Sequence, residues 1–136
     1  MQKVAGSCLC GAVSYRASAE PVFVAACHCR DCQKATGAAH SINVAVPADT
    51  LRVEGQLKPF HTTGGSGEAV ARLFCPECGS HVLTDAAALP GLSMVQAGTL
   101  DDARWARPSM HIWCSSAQPW DQPPADASCY PQMPQI

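Results

Sequence analysis

The segment FVAACHCRDCQKATG, Phe23–Gly37, contains a cysteine trio: Cys27, Cys29 and Cys32. Cysteines separated by one or two residues are badly placed to form a disulfide with each other, but they are well placed to bind the same metal ion. Three thiolates supply most of a tetrahedral coordination sphere. The trio therefore predicts a metal site whose fourth position is either closed by another protein ligand or open for chemistry.

Nine cysteines in a chain of 136 residues are the main anomaly of the composition. Cys8 and Cys10 form the motif SCLCG, and Cys75 and Cys78 form FCPECGSH. The C-P-x-C-G turn is typical of zinc knuckles, because its backbone amides point at the sulfur atoms. The odd number of cysteines and their close spacing fit a disulfide framework poorly. A reducing compartment and metal ligation are favoured, with zinc as the expected metal.

The seven clustered cysteines divide most simply into four plus three. Cys8, Cys10, Cys75 and Cys78 then form a closed structural zinc site, and the cysteine trio forms a second site. The alternative is that the turn from Cys75 to Cys78 shares a metal with two cysteines of the trio. That arrangement leaves Cys8 and Cys10 without a role, so we expect two zinc ions per chain.

Zinc bound by three thiolates carries a net negative formal charge, which makes it a poor activator of water. A soft sulfur ligand, such as a substrate thiol, suits the fourth position better. His81 is the best protein candidate to close that position, although an open position is favoured. Arg30, beside the trio, and Arg72, in the motif ARLFC, are the candidate residues for binding an anionic substrate.

The histidines show no further metal motif. His28 would have to bind a metal together with both neighbouring cysteines, so a packing or hydrogen-bonding role is favoured. The other histidines are expected to have core or surface roles: His40, His61 and His111. Cys114 is interpreted as a small buried hydrophobe and Cys129 as a tail residue.

Short runs of β-branched and aromatic residues, separated by Gly, Pro, Asp or Ser, recur along the chain and predict strands. The runs are Ala12–Ser18, Pro21–Cys27, Ser41–Pro47, Leu51–Gly55, Leu57–Thr63, Ala69–Cys75, His81–Asp85, Leu92–Gly98 and Met110–Ser115. Thr63–Ala69 is predicted to be a hairpin loop. The one predicted helical turn spans about Cys29–Thr36 and ends at Gly37. This pattern predicts an all-β domain.

The chain is long enough for a single domain, with a core at about 6–120 and a proline-rich tail at 121–136. The tail is expected to pack through Trp120 and Tyr130 or to fray. The net charge of −2 gives no reason to expect nucleic acid or an anionic membrane as partner. Met1–Ser7 lacks the apolar region of a signal peptide, and no run approaches the roughly 20 apolar residues of a membrane span. A soluble, cytoplasmic protein is expected.

The motifs GSCLCGAVSY, CHCRDCQKATGA, RLFCPECGSHV, AGTLDD and RPSMHIWCSSAQPW resemble the glutathione-dependent formaldehyde-activating enzyme family, or centromere protein V/GFA domain. The resemblance covers about Gly6–Trp120. It implies a β-tent-like fold of several coiled β-sheets and two zinc ions. It further implies that Cys8, Cys10, Cys75 and Cys78 hold a structural zinc, and that the cysteine trio holds a catalytic-type zinc.

The same resemblance implies a carbon–sulfur lyase that acts on a thiol–aldehyde adduct, such as S-hydroxymethylglutathione or a related small molecule. Glutathione is therefore a possible partner. Beyond Trp120 there is no clear match, and no cluster of basic residues suits both glutathione carboxylates. The alternative from another class is a non-catalytic zinc-binding module in which both metals are structural.

Overall fold

Ten strands carry most of the regular structure in the computed structural model, which describes residues 2–134. The strands are β1 (Val4–Ser7), β2 (Ser14–Ala17), β3 (Phe23–Cys27), β4 (Ser41–Pro47), β5 (Leu51–Glu54), β6 (Lys58–Thr63), β7 (Ala69–Phe74), β8 (His81–Ala86), β9 (Leu92–Gln96) and β10 (Met110–Ile112). One α-helix, α1 (Arg30–Thr36), lies between β3 and β4 in this part of the chain. The predicted all-β class is confirmed.

The strands form two sheets that share one apolar core. The smaller sheet has the order β1-β2-β5, and the larger has the order β10-β3-β4-β9-β8-β7-β6. Neighbouring strands are antiparallel except β10, which pairs with β3 in parallel. Val4 and Val13 from the side of the small sheet pack in one cluster with Val44, Val82 and Val95 from the large sheet. All five are at most 1% exposed, so the two sheets bury one continuous core.

The nine predicted runs correspond to β2–β10, and the main omission is β1. Its sequence, VAGS, contains Gly and Ser and has weak strand propensity, so its pairing with β2 decides its conformation. The prediction was also too long at β10. That strand ends at Ile112 because Trp113 takes a left-handed conformation with φ of 56°.

The helix and the hairpin loop agree with the prediction. The Cys29 side chain caps the N-terminus of α1, and Gly37 ends the helix in the left-handed conformation with φ of 70°. Strands β6 and β7 pair in antiparallel register on either side of the glycine-rich loop, with Thr63 opposite Ala69.

The C-terminal segment attaches beside β10 through its backbone. The N–H of His111 donates to Ser128 O at 2.8 Å, and the N–H of Tyr130 donates to His111 O at 2.9 Å. The expected packing through aromatic side chains was wrong, since Trp120 is 75% exposed and Tyr130 39%. The stretch 125–130 contains no proline, which leaves the backbone donors that this pairing requires.

Gly6 brings the small sheet into close contact with the chain segment that follows β9. It forms an isolated bridge with Leu100, and the N–H of Asp101 donates to Ala5 O at 2.9 Å. A Cβ atom at Gly6 would clash with Thr99 O and would lie 2.5 Å from the Tyr15 hydroxyl. The approach of the two segments therefore requires glycine at this position.

We expect Gly6→Ala to lower the free energy of unfolding by about 1–3 kcal/mol, because the new methyl group forces backbone apart at a packed contact. Chemical denaturation of the zinc-loaded protein measures the change. Gly98→Ala is the matched control, because a Cβ there meets no atom within 4 Å. Equal stability of the two variants would contradict the proposed close contact.

Candidate metal centres

Four cysteine sulfur atoms converge where the small sheet meets the β7–β8 turn. The Sγ atoms of Cys8, Cys10, Cys75 and Cys78 all lie within 4.8 Å of one another. Cys10 Sγ is 3.7 Å from Cys8 Sγ and 3.8 Å from Cys75 Sγ. A tetrahedral zinc with Zn–S bonds near 2.3 Å would hold its sulfur ligands about 3.8 Å apart. The donor set and its spacing therefore fit a four-thiolate metal site.

Two tight turns position these sulfur atoms. In the first, the N–H of Cys8 donates to Val13 O at 3.0 Å, and the N–H of Val13 lies 3.3 Å from Cys8 Sγ. In the second, the N–H of Gly79 donates to Cys75 O at 2.8 Å, and Gly79 has φ of 78°. The second turn is the predicted knuckle, and its left-handed residue is a glycine because other residues are strained there.

Hydrogen bonds favour ionisation of Cys78, one of the four thiols of this cluster. The Ser80 hydroxyl lies 3.2 Å from Cys78 Sγ. This hydroxyl, together with the backbone N–H groups of Ser80 and Cys10, lowers the pKa of Cys78 to about 5. Because zinc binds the thiolate and not the thiol, these donors favour metal binding.

The cysteine trio forms a second group of sulfur atoms within 4.8 Å of one another. Cys27 ends β3, Cys29 is the N-cap of α1, and Cys32 lies in the first turn of that helix. Cys27 and Cys32 are buried, whereas Cys29 is half-buried. The N–H of Cys32 lies 3.3 Å from Cys29 Sγ. The strand end and the helix start thus fix three soft donors at one point, which suits zinc.

Cys32 is the most acidic thiol of the trio. Interactions with the Cys27 and Cys29 thiols lower its pKa to about 2, and Ser41 and Arg72 act in the same direction. The Arg72 Nη1 atom lies 3.7 Å from Cys32 Sγ. A fixed guanidinium therefore offsets part of the negative charge that three thiolates bring together.

A mainly apolar cavity of about 110 Å³ opens beside the cysteine trio. Its wall includes all three cysteines and Arg72, together with Val70, Leu89, Met94, Trp113 and two glycines of the β6–β7 loop, Gly64 and Gly65. Asp31 also lines it. The second group of thiolates thus faces a space that a small molecule can enter, whereas the first group is held between two turns.

Comparison with known proteins identifies the family. The sequence model of the glutathione-dependent formaldehyde-activating enzymes matches residues 3–116. The chain belongs to this family. A curated protein of Phaeosphaeria nodorum that carries the same family description in its name is 31% identical over 94 residues. That match covers 67% of this chain and 49% of the relative, so the chain spans about half the length of the curated relative.

A solved structure supports the fold of this family member. The crystal structure of a Rhodobacter sphaeroides protein superposes with a TM-score of 0.58 at 24% identity, over 71% of this chain and 87% of that one. The resemblance inferred from the cysteine motifs is confirmed as family membership.

Within residues 2–134, no helix is long and apolar enough to cross a membrane.

The two arginines predicted to bind an anionic substrate occupy different positions relative to the cavity. Arg72 lines the cavity beside Cys32. Arg30 is the exposed first residue of α1, its Nη1 donates to Gln33 Oε1, and it does not line this cavity. His81 is not among the donors grouped with the trio. Its Nε2 contacts Leu83 O at 3.1 Å and the Thr84 hydroxyl at 3.0 Å. Arg72 is therefore the stronger candidate for binding a substrate anion.

Sequence reasoning missed two features near the cysteine trio. The Trp113 ring packs on Gly65, where a Cβ atom would lie 2.7 Å from the ring, so the glycine-rich loop and the Trp113 ring meet in the cavity wall. On the other side of the trio, His28, His40 and Asp121 come within 4.8 Å of one another through their ligand atoms. No short motif signals either arrangement, because the partners are far apart in sequence.

We expect Cys75→Ser to unfold the protein or to remove its cooperative thermal transition. Loss of one ligand from a closed four-thiolate site removes metal-binding free energy that stabilises the folded state. Circular dichroism with metal analysis measures both effects. The matched control is Glu77→Gln, at an exposed position of the same turn, which should keep its metal and its transition temperature. A folded Cys75→Ser protein with full metal content would contradict the assignment.

Proposed function

We propose that this family member is a zinc-dependent carbon–sulfur lyase that acts on a thiol–aldehyde adduct, such as S-hydroxymethylglutathione or a related small molecule. The observation that carries the proposal is the position of the cysteine trio in the wall of an apolar cavity, next to Arg72. The family description names glutathione and formaldehyde, which supports this class of substrate. In this proposal the four-thiolate site is structural and the trio holds the catalytic zinc.

Zinc on three thiolates would supply a position for a soft sulfur ligand, and it would be a weak activator of water. The surrounding residues hold the ligands in position and reduce the negative charge at the site. Cys27 and Cys32 are fixed in the buried end of β3 and the first turn of α1. Arg72 places its positive charge beside Cys32, which reduces the repulsion that an incoming anionic sulfur would meet.

The proposed reaction breaks one carbon–sulfur bond. The hydroxyl group of the adduct loses its proton, the carbon–oxygen double bond forms, and the electron pair of the carbon–sulfur bond stays on sulfur. The sulfur leaves as a thiolate and takes up the proton that the hydroxyl lost, so the products are an aldehyde and a thiol, and the reverse sequence joins them. Asp31 is the carboxylate that lines the cavity, so it is placed to accept the hydroxyl proton.

The size of the cavity limits which part of the substrate enters it. About 110 Å³ accommodates a small reacting group but not a whole tripeptide. Val70, Leu89, Met94 and Trp113 give it apolar walls, which exclude water and strengthen the electrostatic effect of Arg72. We therefore place the adduct's sulfur and hydroxymethyl group inside, and the remainder of a larger thiol outside.

We expect Cys29→Ser to abolish turnover of S-hydroxymethylglutathione while the protein stays folded. Removal of one ligand from the trio should lower the zinc content from about two to about one per chain, because the four-thiolate site is separate. Mass-spectrometric metal analysis and an assay of released formaldehyde measure the two effects. Cys129→Ser, at an exposed position, is the control and should keep both. Loss of both metals and of folding in Cys29→Ser would instead favour a structural role for the trio and the non-catalytic alternative.

We expect Arg72→Gln to reduce kcat/KM by roughly 10- to 100-fold, which corresponds to the loss of about 1.5–3 kcal/mol from a hydrogen bond to a charged group. Steady-state kinetics on the zinc-loaded enzyme measures the change. The matched control is Arg30→Gln, because Arg30 carries the same charge near the trio but lies outside the cavity. If both substitutions have the same small effect, the role assigned to Arg72 is wrong.

A further inference from the structure

Three histidines and one aspartate form a polar cluster on the side of β3 away from the cysteine trio. His28 follows β3, His40 precedes β4, His111 lies on β10, and Asp121 lies in the segment after β10. Strand β3 pairs with both β4 and β10, which brings His28 between the other two histidines. These residues have no part in the proposed lyase reaction.

The donor atoms of this cluster are close together. His40 Nδ1 lies 2.6 Å from Asp121 Oδ2, and His28 Nδ1 lies 3.7 Å from the same oxygen. The ligand atoms of His28, His40 and Asp121 are all within 4.8 Å of one another. The His28 and His40 ring centres are 4.8 Å apart. Two imidazoles and a carboxylate at such distances can meet on one metal ion after small side-chain rotations.

His28 is the observation that points to a ligand. Its side chain is only 1% exposed, and its Nδ1 has no hydrogen-bond partner within residues 2–134. Its Nε2 lies 3.0 Å from His111 Nδ1, so one of these two nitrogen atoms carries the shared hydrogen. An unpaired polar atom buried this deeply is costly unless something outside the polypeptide satisfies it.

The hydrogen bond to His111 allows two tautomers of His28. In one, His28 Nδ1 carries the hydrogen but lies 3.7 Å from Asp121 Oδ2, which is too far for a hydrogen bond. In the other, His28 Nε2 donates to His111, and His28 Nδ1 has a bare lone pair that faces the carboxylate of Asp121. Two electron-pair donors that face each other need a cation between them. Metal-bound histidines commonly donate their other ring N–H to a neighbouring acceptor, which fixes the tautomer. His111 is placed to be that acceptor.

We propose that His28, His40 and Asp121 form a third metal site, which binds a divalent transition-metal ion such as Zn²⁺ through two imidazole nitrogens and one carboxylate oxygen. The nitrogen and oxygen donors distinguish it from both thiolate sites. His111 is a positioning residue that orients His28. The side chains of His40 and Asp121 are each 27% exposed, which gives the ion a path from solvent and leaves room for a water ligand.

Metal binding at this site displaces a proton. His40 Nδ1 and Asp121 Oδ2 share a hydrogen at 2.6 Å, and both atoms must present a lone pair to the ion. A neutral His40 moves this hydrogen from Nδ1 to Nε2, and only a protonated His40 releases it to solvent. The carboxylate and the two rings then exchange one short hydrogen bond for three metal–ligand bonds.

The experiment uses the full chain with zinc already in the two thiolate sites. Calorimetric titration with Zn²⁺ should show one further equivalent per chain. Titration of the same protein with Co²⁺ should give visible d–d bands without thiolate-to-metal charge transfer. Such a spectrum identifies nitrogen and oxygen ligands and separates this site from exchange at the cysteines.

Substitutions test the assignment residue by residue. His40→Gln and Asp121→Asn should each weaken the additional binding by about 100-fold or more, and His111→Gln by about 10- to 100-fold. His61→Gln is the matched control, because His61 is exposed on β6 and remote in the sheet order. All variants should retain two thiolate-bound zinc ions and the circular dichroism spectrum of the wild type.

Four results would overturn the proposal. The first is that the zinc-loaded wild type binds no additional Zn²⁺ or Co²⁺ at high-micromolar concentrations. The second is that Co²⁺ binds with thiolate charge-transfer bands only. The third is that His40→Gln, Asp121→Asn and His61→Gln bind the additional ion equally well. Nitrogen NMR that shows a doubly protonated His28 in the presence of Zn²⁺ would also overturn it, because a proton would then occupy the place of the metal.

Discussion

The convergence of four sulfur atoms between the small sheet and the β7–β8 turn is the constraint on which the rest of the structure depends. Cys8 and Cys10 follow β1, while Cys75 and Cys78 follow β7 in the large sheet. Four thiolates would repel one another, so a metal cation would stabilise this arrangement. A metal at this point would join the two sheets at a single place. It would also fix the C-terminal end of β7, the strand that carries Arg72 in the cavity wall.

Alternation of side chains allows one short segment to serve two polar clusters. Around the end of β3, Cys27 and Cys29 contribute to the thiolate group, while His28 lies in the histidine cluster. Successive side chains of an extended chain point to opposite faces, so this division follows from the backbone conformation. The strand pairing then determines the neighbours. Strand β4 brings His40 and β10 brings His111 beside His28.

The cavity depends on chain segments that are distant in sequence. Trp113 takes a left-handed conformation immediately after β10, and its ring packs against Gly65 in the β6–β7 loop. A larger residue than glycine would push the loop away from the ring. The apolar wall beside the trio thus requires contacts between the two ends of the large sheet, since β10 and β6 are its edge strands.

Short-range patterns in the sequence determined much of this protein. The spacing of Cys27, Cys29 and Cys32 and the Cys75–Cys78 turn indicated the thiolate groups. Short runs of β-branched and aromatic residues indicated nine of the ten strands within residues 2–134. Gly37 marked the end of the helix, because glycine adopts the left-handed conformation of a helix C-terminus without steric strain. These features depend on residues that are neighbours along the chain, so the sequence alone contains them.

Only the tertiary structure decided which distant residues meet. Nothing local distinguishes Arg72 from Arg30 as a cavity residue, or marks His40 and Asp121 as partners of His28, because these contacts are made by strand pairing and loop packing. The weak strand β1 likewise exists because β2 pairs with it. Local propensity acts over a few residues, whereas burial and pairing act across the whole fold. The sequence alone therefore determined the seven candidate thiolate ligands, and the fold decided what surrounds them.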